Sequence, residues 1–375
     1  MTGSANHRYA WVLSGRYDTK AQDSRSRPRS EFEEFVARNG GVLLSRSLLD
    51  GTKSVLARTL ARTHLPLFAL ASLVQSRAGE FDAFICSGED IGVPLAIASL
   101  GRNAPVPIHM MFHGHHLDSL KLRTLAPLLR RMSHVHFHCL SQSLRTRTMA
   151  ILGIPPERCH ATGYGVDTSY FVPIAAQLPP LIASAGAANR DYATLAAAVR
   201  DLPIEVRIPA DSNWVPATTS TADLGWPDNV HARSYGTYAK VRELYGAAGF
   251  IVVPLHPARH ACGYSVIAEA MAMGRAVIAT RTDAPPDFLL DGETGFFVAP
   301  HDATSLQDCI RRLLDNPTDA RLMGERARAL MVGHYSLAHY CERLERIVAA
   351  SLHRRDAARG QENFAPNSTQ ASGAR

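Results

Sequence analysis

Short apolar runs alternate with helical periodicities along nearly the whole of this 375-residue chain. Tyr9 to Leu13, Gly41 to Leu44, Phe81 to Ser87, Pro107 to Phe112, His134 to Leu140 and Arg158 to Thr162 read as strands, with helical patterns between them. A second series follows: Leu181 to Ser184, Ile204 to Ile208, Val230 to Arg233, Phe250 to Leu255, Ala276 to Thr280 and Phe296 to Val298. Such alternation permits few architectures, because each crossover helix brings the chain back to lay a parallel strand beside the last. The expected class is α/β, with parallel sheets covered on both faces. The chain is too long for one typical core, so two domains are expected. Pro173, Pro179 and Pro180 punctuate an aperiodic stretch and place the boundary, giving domains over 1–173 and 174–336. A terminal helix over 337–352, free to pack back on the first domain, precedes a polar tail over 353–375 that reads as disordered. Asp18 to Arg29 and Pro209 to Pro227 read as irregular loops.

Ligands on parallel sheets sit at the carboxyl ends of strands. Ser14-Gly15, Ser87-Gly88, His113-Gly114 and Ser141 fall at those ends, with Gly88 to Gly92 read as a loop before a helix from Val93. Ser119 to Met132 reads as a basic amphipathic helix, its apolar side supplied by Leu120, Leu125, Leu128 and Leu129. It either packs on the sheet or lies on a membrane surface. No run of 18 apolar residues exists, which argues against a transmembrane helix, and the N-terminal residues lack a signal-peptide core. Six scattered cysteines without a CxxC pair read as reduced thiols. These features point to the cytoplasm, with peripheral contact at the inner membrane surface left open. Residues 1–163 carry 20 Lys and Arg against 12 Asp and Glu, so the net charge of +6 is concentrated there. No aromatic-plus-basic pattern supports a nucleic-acid partner.

The stretch from Arg259 to Gly274 carries the most chemistry. A strand feeds it, Gly263 permits a sharp turn, Ser265 suits an N-cap or first turn, and Val266, Ala270 and Met273 recur at helical spacing. The free N–H groups of such a helix start favour an anion. Glu269, about one turn in, could accept bonds from ligand hydroxyls. An ordinary βα loop with a solvated glutamate is the alternative.

The order of motifs resembles the retaining glycosyltransferases of the GT-B fold, in particular the group 1, or family 4, enzymes. The resemblance is carried by Ser141, Leu152-Gly153-Ile154-Pro155, Gly163-Tyr164-Gly165-Val166-Asp167 and Phe171-Val172-Pro173. In the second half it is carried by Gly186 with Arg190, Val253-Pro254, Gly263 to Gly274, and Asp291-Gly292-Glu293-Thr294-Gly295 with Asp302. It implies two Rossmann-like domains facing across a cleft. The chain departs from the pattern in places. The family usually has two glutamates eight positions apart; Glu269 matches the second, but the first position is Ala261. Asp283-Ala284 replaces a Gly-Gly loop, and Asp287 stands where Glu is common.

The resemblance implies a sugar transferred from a nucleotide-diphosphate donor to an acceptor hydroxyl, with retention. Charge building on the leaving phosphate must be met by a metal, by Arg or Lys, or by helix N–H groups. No Asp-x-Asp motif offers a metal site, so the implied solution is Arg190 with the N–H groups of Gly263, Tyr264 and Ser265. His113, Arg190 and Glu269 form the expected catalytic set. Gly15, Gly186, Arg190, Gly263, Tyr264, Ser265, Glu269 and Asp287 form the expected donor set, Asp287 serving either the sugar or a loop cap. No cofactor or metal is expected. His109, His113, His115 and His116 raise a zinc reading that no second ligand set supports. The acceptor stays open between a glycan and a lipid-linked molecule. A weakened scaffold that binds nucleotide, motivated by Ala261, and a GT-B sugar-nucleotide epimerase are the rival readings.

Overall fold

In a computed structural model of the chain, residues 7–17, 26–63, 65–175, 181–209, 225–233 and 235–363 are described. Their strands form two six-stranded sheets, all parallel. The first holds β1 (Tyr9–Val12), β2 (Val42–Leu44), β3 (Ala83–Cys86), β4 (Ile108–Phe112), β5 (Val135–Cys139) and β6 (Cys159–Ala161), in the order β2-β1-β3-β4-β5-β6. The second holds β7 (Leu181–Ala183), β8 (Val206–Pro209), β9 (Val230–Arg233), β10 (Ala248–Val253), β11 (Ala276–Thr280) and β12 (Gly295–Val298), in the order β12-β11-β10-β7-β8-β9. Every residue of β3, β4, β5 and β11 is buried, as strands covered on both faces require, whereas the edge strands β2, β6 and β9 are partly exposed. The chain reverses its direction of sheet growth between β1 and β3, and again between β7 and β10. Crevices open at such reversal points, outside the strand ends.

The helices of the first half are α1 (Glu31–Asn39), α2 (Val55–Arg62), α3 (Pro66–Ser76), α4 (Glu89–Ala98), α5 (Leu120–Arg131) and α6 (Gln142–Leu152). Those of the second are α7 (Tyr192–Val199), α8 (Tyr238–Ala247), α9 (Tyr264–Ala272), α10 (Ala303–Asp315), α11 (Pro317–His334) and α12 (Leu337–Asn363). Three differ from expectation. The segment Glu89 to Gly92, expected as loop, is the first turn of α4. Acidic residues suit a helix start, and Gly92 brings the helix against the sheet, where an added Cβ would lie 2.6 Å from Met110 Cβ. α5 buries Leu122, Ala126 and Leu129 and packs Leu125 and Leu128 against the core, so three of the four leucines expected on its apolar side lie there, while Leu120 is 78% exposed. α12 runs on to Asn363 through residues expected to be disordered. Arg and Ala are good helix formers, and a docked N-terminal half supplies the nucleus that an isolated segment lacks.

The docking of α12 closes the first sheet. Tyr340, Cys341, Leu344, Val348 and Leu352 pack with Trp11, Phe32, Phe35, Ile85 and Met111. Beneath the helix, His109 bonds His138 at 2.9 Å and the Ser351 hydroxyl at 2.9 Å. His109 therefore belongs to the core and not to a ligand set with His113, His115 and His116. Arg343 on α12 donates to the carbonyls of Thr162, Tyr164 and His334, tying the interdomain crossing to the helix. Asp167 on the same crossing accepts from the N–H groups of Arg29, Ser169 and Tyr170. The loop expected over Asp18 to Arg29 lies mostly outside the described residues, and the loop over Pro209 to Pro227 likewise. All six cysteines are free thiols.

Candidate functional site

The loops after β7 and β10 flank the reversal point of the second sheet and are zipped together. The Asp191 N–H donates to Pro254 O at 3.1 Å, and Asn189 exchanges backbone and side-chain bonds with His256. Gly263 adopts φ 75°, where side chains are strained, and it serves as the N-cap of α9. The helix begins at Tyr264, so Ser265, expected as a cap or first-turn residue, lies in the first turn and is exposed. No side chain caps this helix start, which leaves its leading N–H groups for a ligand. The Tyr264 ring is buried and its hydroxyl donates to Ala284 O at 2.9 Å, so only the main chain of Tyr264 can serve an anion.

Glu269 lies on α9, half-buried, against Tyr245 of α8. Burial pushes its carboxyl up to about 8, against opposing pulls from Tyr245 and Arg190. Arg190 is only 4% exposed. Its Nε donates to Ala185 O and its Nη1 to Ala188 O, each at 2.7 Å. Gly186, at φ 95°, makes room: a Cβ there would lie 2.4 Å from Arg190 Nη2. The guanidinium expected to face phosphate thus spends two of its three nitrogens on shaping its own loop.

Across the cleft, His113 ends β4 and is held by Glu89 at the start of α4. The Glu89 carboxylate accepts from His113 N at 3.0 Å and His115 N at 2.9 Å, and lies 3.5 Å from His113 Nδ1. Burial opposes ionisation of Glu89, but the His113 contacts win and hold its carboxyl down at about 2. Burial likewise opposes a charge on His113, and Glu89 outweighs it, so the His113 pKa is raised. The two halves of the cleft touch. Ala261 N donates to His113 O at 2.9 Å, and the His115 and His260 rings lie 4.4 Å apart. Ala261 is buried, so the position lacking the family's first glutamate is filled by a backbone bond between the two loops. Asp287 accepts from Gln142 N at 2.8 Å and so caps α6 from the opposite domain.

The family described as "Glycosyl transferases group 1" matches residues 191–316, which carry β8 to β12, α9 and the Asp291-Gly292 turn. The second half of the chain contains a group 1 glycosyltransferase domain. Over 195 residues, 49% of this chain, it is 31% identical to the MMP alpha-(1->4)-mannosyltransferase of Mycolicibacterium hassiacum, covering 46% of that protein. Over 131 residues, 34% of this chain, it is 32% identical to the D-inositol 3-phosphate glycosyltransferase of Corynebacterium diphtheriae, covering 29% of it. The chain therefore spans less than half the length of these curated relatives. Among solved structures, a glycosyltransferase from Rickettsia africae superposes with a TM-score of 0.71 at 16% identity, over 93% of this chain and 99% of that one. Anabaena HepE, in complex with UDP-glucose, gives 0.65 at 15% identity over 91% and 99%. The fold is that of the GT-B glycosyltransferases.

Gly186 and Arg190 sit on the loop just before the matched residues, with the Arg190 charge acting on Glu269; Gly263, Tyr264, Ser265 and Glu269 share the cap and body of α9, and the Ala261–His113 bond ties the preceding loop to the first sheet. Asp287 is turned to α6. Gly15 lies exposed at the end of β1, its carbonyl bound to Arg46 N at 3.0 Å, with no bond to the loops of the group 1 domain. Glu89 was missed by sequence reasoning. Its signal was an acid directly after a strand-end glycine, which reads the same as a solvated helix start. Among the described residues no helix is long and apolar enough to cross a membrane.

Proposed function

We propose that the protein transfers a sugar from a nucleotide-diphosphate sugar to an acceptor hydroxyl, with retention and without a divalent cation on the diphosphate. The observation that carries this reading is the uncapped start of α9 with Glu269 one turn on, set at the reversal point of the second sheet and facing His113. In this reading the N–H groups from Gly263 to Ser265 meet the charge that grows on the leaving phosphate oxygen. Glu269 accepts hydrogen bonds from the ribose hydroxyls. His113, oriented by Glu89, donates to the sugar or acceptor from the opposite wall. Arg190 acts by holding the Gly186 loop and by its charge near Glu269. The leaving phosphate takes the acceptor proton, so no protein nucleophile is required.

A panel of nucleotide sugars tests this by binding and by turnover. Glu269→Ala should weaken donor binding by about 10- to 100-fold, the scale of a hydrogen bond to a charged group. His113→Ala should lower kcat far more than it changes donor affinity. Turnover should be the same with and without added Mg2+ or Mn2+. Nucleotide binding with no turnover of any donor would replace this reading with a binding scaffold, and Ala261 would be the residue to restore as Glu.

A further inference from the structure

Three side chains from three loops converge at the carboxyl edge of the second sheet: Asp191 after β7, His256 after β10 and His301 after β12. Their ligand atoms all lie within 4.8 Å of one another. His301 Nδ1 is 2.7 Å from Asp191 Oδ2, His256 Nδ1 is 3.9 Å from the same oxygen, and the two rings are 5.5 Å apart. We propose that these residues form a binding site for one zinc-class transition-metal ion.

The donor set selects the metal. Two imidazoles and one carboxylate suit zinc, cobalt or nickel, while magnesium and calcium prefer oxygen alone. Ligand bonds of about 2.0–2.2 Å put tetrahedral ligand atoms roughly 3.3 Å apart. The 2.7 and 3.9 Å separations bracket that spacing, and modest rotation of the two exposed rings, 44% and 57% accessible, reaches it. The metal takes the place of the proton now shared between His301 and Asp191.

The surroundings are built as a ligand shell is. Asp191 is 4% exposed and anchored by Thr194 N at 3.1 Å and Thr194 Oγ1 at 2.7 Å. Burial disfavours its charge, but the Thr194 bonds, with His301, outweigh burial and hold it ionised. Asn189 clamps the His256 backbone on both sides, accepting from its N–H at 3.2 Å and donating to its carbonyl at 3.0 Å. Outer contacts of this kind fix ligand orientation. Asn189 and His301 are also the non-glycine residues that adopt positive φ among those described. Three protein ligands leave a fourth position open to solvent. An ion here ties the loops after β7, β10 and β12 together.

The test uses the full, tag-free chain, stripped of metal and titrated with Zn2+ by competition against an indicator, with Co2+ as a spectroscopic stand-in. The expected result is one ion per chain, an intense tetrahedral-type Co2+ spectrum, and a rise in thermal midpoint with Zn2+ but not with Mg2+. His256→Ala and His301→Ala, both at exposed positions, should each weaken Zn2+ more than tenfold and abolish the thermal shift while retaining the native circular dichroism. Failure of the wild type to bind, or wild-type affinity in either variant, overturns the proposal. Neither readout depends on transferase activity.

Discussion

Glu269 keeps its proton at neutral pH in the free protein, because its carboxyl is pushed up to about 8 by burial. In the proposed function ribose hydroxyls donate to Glu269 and bond most strongly to its ionised form, so donor binding is linked to loss of that proton. Donor affinity should therefore rise by up to about tenfold per pH unit below 8 and level off above it. Glu269→Gln should flatten that profile, and a slope that survives in the variant would sink the assignment. The same shift has a stability consequence of known sign. A carboxyl raised in the folded state binds protons more tightly than the unfolded chain, so its contribution to stability falls as pH climbs from about 4.5 to about 8. The placement of Glu269 on a helix that starts after Gly263 was legible in the sequence because its neighbours carry a linear pattern. Glu89 was not, because its partners His113 and His115 are brought to it only when β4 is laid beside β3. Arg190 was singled out by its spacing from Gly186, but its carbonyl partners follow from the path of that loop, which residue type does not announce.

At the scale of elements, α9 stands or falls on Gly263. An added Cβ would lie 3.2 Å from Leu255 Cδ1 and from Val253 Cγ1, at φ 75°. Left-handed backbone costs an L-residue about 1–2 kcal/mol. Gly263→Ala should lower unfolding free energy by that amount in urea, and should weaken nucleotide binding besides, since the N–H groups of the helix start turn with the cap. An unchanged midpoint would show that the loop relaxes freely. Most elements were readable because β11 and α8 carry unambiguous periodicity. α4 was misread at its start because Gly92 and Pro94 look like breakers, whereas Gly92 is the contact with Met110. The apolar side of α5 was read correctly at Leu125, Leu128 and Leu129, but Leu120, at the helix start, turns to solvent instead.

Across the whole molecule, a ladder of imidazoles, three buried and His160 half-buried at the edge, runs through the first sheet under α12. His109, His136, His138 and His160 all have lowered pKa values, burial being the largest cause; His136 lies at about 3 and His160 at about 4. Arg354 on α12 adds to the effect on His109, His136 and His160, with Arg158 and Arg145 contributing from the β6 side. An unfolded chain takes up these protons near pH 6.5 and the native one does not. Stability is therefore intact above about 6.5 and is lost as pH falls toward the folded values; the raised carboxyls of Glu31, Glu269 and Asp287 and the raised His113 oppose this, but the lowered imidazoles, which include His115, His134 and His260, outnumber them. The urea midpoint at pH 5 should lie well below that at pH 7, and equal midpoints would refute the neutral ladder. The two-sheet plan was legible from strand order alone, but the depth to which α12 commits itself to the first sheet was not. That helix is the last described element of the chain, yet Leu344, Val348 and Leu352 complete a core begun by Trp11. On the ribosome, the first domain therefore cannot finish folding when its own sheet has emerged. It must wait, with that face uncovered, until the second domain and α12 have followed, because the contacts that close it are the longest-range ones in the chain's core.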